Sequence, residues 1–203
     1  MPKLKADERI IAIHAGIATQ AAREKHCVLA VRPGCGTGRI AAVTAGMLEN
    51  KNLLAVVPKS IAEIWLKMLQ DAMAGLYPDL PRENIMNFAG MGRAAGAGAC
   101  SKALTNSTDQ PIACIITPSQ IQSVFEWHAC NTGRPFGLVI ADNAVAFANQ
   151  ACKRSCWLDG CMKSAGASIL IARTPQDVEK LSRTKRPIIS AVNLFATAMA
   201  PGA

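Results

Sequence analysis

Residues 27–40 read CVLAVRPGCGTGRI. Val28 to Val31 is a short apolar run, expected as a buried strand. Gly34, Gly36 and Gly38 follow it closely, so the chain there can take positive φ and turn its N–H groups inward. From Arg39 to Glu49 the sequence is rich in Ala, Val, Met and Leu and reads as a helix. Strand, glycine turn and helix N-terminus together make a cradle for an anion, because the first N–H groups of a helix carry partial positive charge.

A phosphate-binding P-loop has the pattern G-x-x-x-x-G-K-[ST]. Here Gly38 fills the second glycine, Pro33 stands at the first, Arg39 replaces the lysine and Ile40 replaces the hydroxyl. The cradle is present while its chemical tip is altered. Gly34, Gly36, Thr37, Gly38, Arg39 and Ile40 are the candidate nucleotide-binding residues.

Further apolar runs share the character of the first. Leu53–Val57, Ile112–Ile116, Gly137–Ala141 and Ser168–Ala172 have no polar alternation, which suits strands buried on both faces, and Ile85–Phe88 reads as one more. Helical patterns lie between them. Asp7 to Arg23 has helical spacing, with His14 expected on its surface. Ser60 with Glu63 reads as a capping box for a helix over Ile61–Met73. Thr174 reads as a cap with Pro175 at the first helical position. Alternating strands and helices predict an α/β fold, a three-layer sandwich around a mostly parallel sheet. Residues 89–110, rich in Gly, Ala, Ser and Thr, read as a flexible insertion with one short helix. Ile188–Met199 is expected as a terminal helix or strand.

The bulk composition narrows the partners. Net charge is +8 and aromatic residues make up only 4%, which favours an anionic partner but not an aromatic base-stacking platform. No apolar run reaches the ~18 residues of a membrane span. The opening residues do not read as a secretory signal. An intracellular protein with reduced thiols is expected. Arg183-Thr184-Lys185-Arg186-Pro187 reads as a solvated turn, or as a basic patch directing the chain to the nucleus. Among the eight cysteines, Cys152, Cys156 and Cys161 lack any C-x-x-C pair, which argues against zinc. Trp65, Trp127 and Trp157 read as packing residues.

The order of motifs resembles the first RecA-like domain of superfamily 2 helicases, and most closely the Swi/Snf-type remodelling ATPases. The similar segments are GCGTGRI, then Val56-Val57-Pro58-Lys59-Ser60 followed by Ile64-Trp65, then Ile116-Thr117, then Val139-Ile140-Ala141-Asp142-Asn143-Ala144-Val145, and last Ala172-Arg173-Thr174-Pro175. The resemblance covers about residues 25–180. It implies a single RecA-like lobe over residues 1–203, with no second lobe, binding ATP with Mg²⁺. Asp142 would hold Mg²⁺ through water, and Asn143 would stand where the family's catalytic glutamate polarises the attacking water. Lys59, Ser60 and Thr117 would touch a nucleic-acid backbone, and Asn149 matches an asparagine that follows the box. Gln20 is the only candidate for an adenine-reading glutamine.

The departures predict a degenerate site. Arginine keeps the lysine's charge but not its shape. Isoleucine cannot bind Mg²⁺, asparagine cannot accept a proton from water, and Arg173 replaces a glycine. The expected partners are a nucleotide, DNA or RNA, and a protein supplying a second lobe, with no membrane. The expected function is a helicase-like ATP-binding domain with little or no hydrolysis. The alternative is a non-catalytic protein or nucleic-acid scaffold on the same fold. Both require Gly36–Gly38 and Asp142 to meet at one rim of one sheet, on neighbouring strands.

Overall fold

The computed structural model describes residues 6–105, 110–130, 136–147 and 152–191. Seven strands form one sheet: β1 (His26–Ala30), β2 (Leu53–Val56), β3 (Ile85–Asn87), β4 (Ala113–Ile116), β5 (Leu138–Ala141), β6 (Ala167–Ala172) and β7 (Ile188–Ser190). Their order is β3-β4-β2-β5-β6-β1-β7, and every pairing is parallel. The apolar runs explain this. β2, β4, β5 and β6 are buried at every position, so both faces of the sheet must be covered.

Among the described residues seven helices supply the cover: α1 (Ala6–Glu24), α2 (Thr37–Gly46), α3 (Ala62–Leu76), α4 (Arg93–Thr105), α5 (Ile121–Cys130), α6 (Lys153–Ser164) and α7 (Pro175–Ser182). Alternate strand residues face opposite layers. Leu29, Leu53, Ala55 and Ile140 pack with Ile17 of α1, Ile40 of α2 and Trp65 and Leu69 of α3. Val28, Leu54, Val56 and Val139 pack with Cys100 of α4, Val124 of α5, Leu158 of α6 and Leu181 of α7. The result is the three-layer α/β sandwich predicted from the sequence.

Several local expectations are corrected. Residues 89–110 carry a 13-residue helix, α4, whose Ala97, Cys100 and Ser101 are buried. Its small residues permit close approach, since Gly96 lies against the side chain of Gln120 and the carbonyl of Phe88. The Ser60–Glu63 capping box does not form. A 3-10 turn, Lys59–Ile61, precedes α3, which has no side-chain cap, and Glu63 instead accepts from Asn87 Nδ2 at 2.7 Å. The box at α7 does form, between Thr174 and Asp177. His14 is buried rather than on the helix surface. Of the terminal stretch, Ile188–Ser190 is a strand and residues beyond 191 lie outside the described residues, as do Asn149 and the side chain of Trp127. Among the described residues no helix is long and apolar enough to cross a membrane.

Candidate functional site

Parallel strands put all their carboxyl ends on one rim, where the following loops can converge. The glycine turn follows β1 and Asp142 follows β5, so both reach the same rim as required. They are not on neighbouring strands. β6 lies between, pairing with β1 on one side and β5 on the other. The residue that leaves β6 at this rim is Arg173, and it enters the gap.

Arg173 closes the corner. Its Nε donates to Asp142 Oδ1 at 3.0 Å and its Nη2 donates to Asp142 Oδ2. The guanidinium also lies 3.5 Å from Thr37 Oγ1 and 3.5 Å from the Arg32 carbonyl, both on the glycine turn. Its backbone is pinned, because Asp177 accepts from the N–H groups of Arg173 and Thr174 while capping α7. Asp142 is 2% exposed and the Arg173 side chain 22%, so the pair is largely desolvated. Trp65 Nε1 donates to Asp142 Oδ2 at 2.9 Å, and the N–H of Asn143 donates to Oδ1 at 2.9 Å. Trp65 is thus a core residue, as expected, whose one polar atom reads the carboxylate.

The turn itself is tightly supported. Gly36 precedes α2 with φ 68°, a left-handed conformation that favours glycine. A Cβ there would come within 2.5 Å of His14 Nε2, so the imidazole of α1 fills the space beneath the turn. His14 Nε2 donates to the Cys35 carbonyl at 3.2 Å. Burial pushes the His14 imidazole below its ordinary value, with Arg39 acting in the same direction and the Cys35 bond opposing them. Gly38 packs on Met68 of α3, where a Cβ would meet the Met68 Cβ at 2.6 Å. Ile40 is fully buried in the core and offers nothing to the rim. Arg39 is exposed on the first turn of α2, and Thr37 is buried with its hydroxyl toward Arg173.

The remaining candidates separate. Asn143 is exposed and left-handed, with φ 58°. Lys59 and Ser60 are exposed on the 3-10 turn after β2. Thr117 is buried, and its hydroxyl bonds Ser119 Oγ at 2.8 Å and Gln120 Oε1 at 3.0 Å. Gln120, missed in the sequence, is 1% exposed and ties Thr117 to the Phe88 carbonyl. Gln20 is solvent-exposed. Among the described residues no group of three His, Cys, Asp or Glu side chains is placed to hold a metal.

Where α4, α5 and α6 begin, after β3, β4 and β5, lies a cleft of about 430 Å³. Arg93 at the start of α4, Lys153 and Arg154 at the start of α6, Ser119, Gln122 and Trp157 line it, and among the described residues no carboxylate does. The three cations are exposed and Trp157 is half-buried.

No protein-family model matches the sequence, and no curated protein matches it. Solved structures do match. The Hef helicase domain of Pyrococcus furiosus superposes with TM-score 0.56 at 15% identity, over 88% of this chain and 38% of that one. A hypothetical ATP-dependent RNA helicase from Sulfolobus tokodaii gives TM-score 0.57 at 14% identity, over 91% and 57%. The fold is that of a helicase RecA-like domain. The UvsW helicase from bacteriophage T4 agrees, with TM-score 0.53 at 14% identity, over 86% and 58%. This chain therefore spans between 38% and 58% of the length of these helicase structures.

A RecA-like helicase fold implies ATP with Mg²⁺, and the corner can be tested for the metal. An ionised carboxylate has about four acceptor positions. Those of Asp142 receive Trp65 Nε1, the Asn143 N–H, and Nε and Nη2 of Arg173. No position remains for a metal-bound water, and Ile40 supplies no hydroxyl ligand. Mg²⁺ does not fit this arrangement.

Proposed function

We propose that this chain is a degenerate helicase-like lobe that binds nucleic acid and hydrolyses little or no ATP. The observation that carries the reading is the cleft at the strand-end rim, where Arg93, Lys153 and Arg154 meet no opposing carboxylate among the described residues. Unpaired cations beside a half-buried indole suit a phosphodiester backbone with a base laid on the ring. Lys59 and Ser60, exposed on the same rim, extend the polar track. Of the helicase families, the motif order gives the nearest kinship with the Swi/Snf-type ATPases.

The weak or lost chemistry follows from the substitutions. Asn143 can orient a water but cannot take its proton. Asp142 is engaged within the protein. A nucleotide would meet only Arg39 and the N-terminus of α2. Removing one oriented electrostatic partner costs ~10²–10³ in rate.

Fluorescence anisotropy with a single-stranded oligonucleotide, titrated across salt concentrations, tests the proposal. Three released counterions give a slope of about −2 in log affinity against log salt for a single strand. Replacing Arg93, Lys153 and Arg154 together with alanine should remove most of that slope. Salt-independent binding, or binding untouched by the triple variant, would leave the cleft without this role and favour the protein scaffold.

A further inference from the structure

We infer that Arg173 is a resident cation standing where a divalent metal would sit, so that the native corner excludes Mg²⁺ and becomes a metal site once the guanidinium is removed. The guanidinium sits among oxygens: both carboxylate oxygens of Asp142, the Arg32 carbonyl and the Thr37 hydroxyl. That is the donor set a hard divalent cation takes, with waters completing the shell.

Charge balance favours the arginine. Asn143 contributes no negative charge, so the corner holds the single carboxylate of Asp142, while that of Asp177 is spent on capping α7. One guanidinium neutralises one carboxylate, whereas a dication would leave an excess positive charge in a largely desolvated place. Preorganisation favours it too. The backbone of Arg173 is held by the capping box, and its planar fork matches the carboxylate with two parallel bonds. An arginine at the end of β6 needs no ligand to fill the gap that strand order creates.

The inference does not depend on nucleic-acid binding, so the anisotropy experiment can fail while this one succeeds, and the reverse. The test compares the wild type with Arg173→Gly and Arg173→Gln in Mg²⁺, in Mn²⁺ and in EDTA. The wild-type melting temperature should be the same in all three. Arg173→Gly should melt lower in EDTA and rise by several degrees in Mg²⁺ or Mn²⁺. The second readout is the indole N–H resonance of Trp65, whose nitrogen lies 2.9 Å from Asp142 Oδ2. Substoichiometric Mn²⁺ should broaden it away in Arg173→Gln and leave it sharp in the wild type. Adding Asp142→Asn to Arg173→Gln should abolish the broadening. If Arg173→Gly does not fold, the resonance in Arg173→Gln decides. A wild type stabilised by Mg²⁺, or a folded Arg173→Gln whose Trp65 signal ignores Mn²⁺, overturns the inference.

Discussion

Two stretches of the same rim treat charge in opposite ways. At the β1–β6–β5 corner the charges are consumed internally: Asp142 is buried and met from every side by Arg173, Trp65 and the Asn143 N–H. At the cleft where α4, α5 and α6 begin, Arg93, Lys153 and Arg154 face solvent, and among the described residues no carboxylate lines the space. A parallel sheet offers one rim for binding, but side chains decide which part is structural and which part is open. In this molecule the corner's charged groups are paired within the protein, while the cations of the cleft stay open to solvent.

That contrast predicts unequal consequences for stability. Arg173→Leu strands a buried carboxylate and should destabilise the protein by about 3–5 kcal/mol in urea unfolding. Arg93→Ala, Lys153→Ala and Arg154→Ala should each stay within about 0.5 kcal/mol. A cleft substitution as harmful as Arg173→Leu would break the comparison. Gly36→Ala comes next. It places a Cβ against His14 and forces alanine into a left-handed conformation, together about 2 kcal/mol or more. Adding His14→Ala should recover the steric part and leave the backbone part.

Two histidines should also give stability a pH dependence, His14 beneath the glycine turn and His26 at the opposite end of β1. Burial lowers the His14 imidazole below its ordinary value, and burial likewise lowers His26, aided by Arg186 and Lys25. The unfolded chain therefore binds more protons once pH drops below the usual histidine range of about 6.5, and stability rises with pH there. Melting temperature should fall between pH 7.5 and 5.5, values chosen to span that range by about one unit on either side. His14→Gln should flatten the fall in part, leaving the His26 share. A wild-type curve flat over that range would contradict the burial of both imidazoles. Within the corner the smallest effect is expected at Asn143, whose φ of 58° suits asparagine. Asn143→Glu should cost about 1 kcal/mol and, with Arg173 still in place, should not raise ATP turnover in a phosphate-release assay.

The sheet was legible because its strands are uninterrupted apolar runs, and a run buried on both faces has few other places to go. The length and burial of α4 were not, because Ala- and Gly-rich residues 93–105 carry no apolar stripe and are held by close approach at Gly96 rather than by large side chains. The Ser60 cap looked right by spacing, yet Glu63 found Asn87 across the chain instead. At the site, Asp142 and the glycine turn reached the same rim as their motifs required. What joins them was hidden, since Arg173 meets Asp142 across 31 residues only because β6 inserts between β1 and β5. The available signal was a charged residue at a position where the motif wants glycine, coupled with an asparagine where it wants glutamate. Taken together those two departures are complementary: one negative charge is missing and one positive charge is present.

A double-mutant cycle on Asp142→Asn and Arg173→Met bears most directly on this. If the two side chains satisfy each other, each single variant loses several kcal/mol while the pair together loses far less than the sum, a coupling of about 2–3 kcal/mol. Strictly additive losses would mean that the arginine and the aspartate stand side by side without depending on one another.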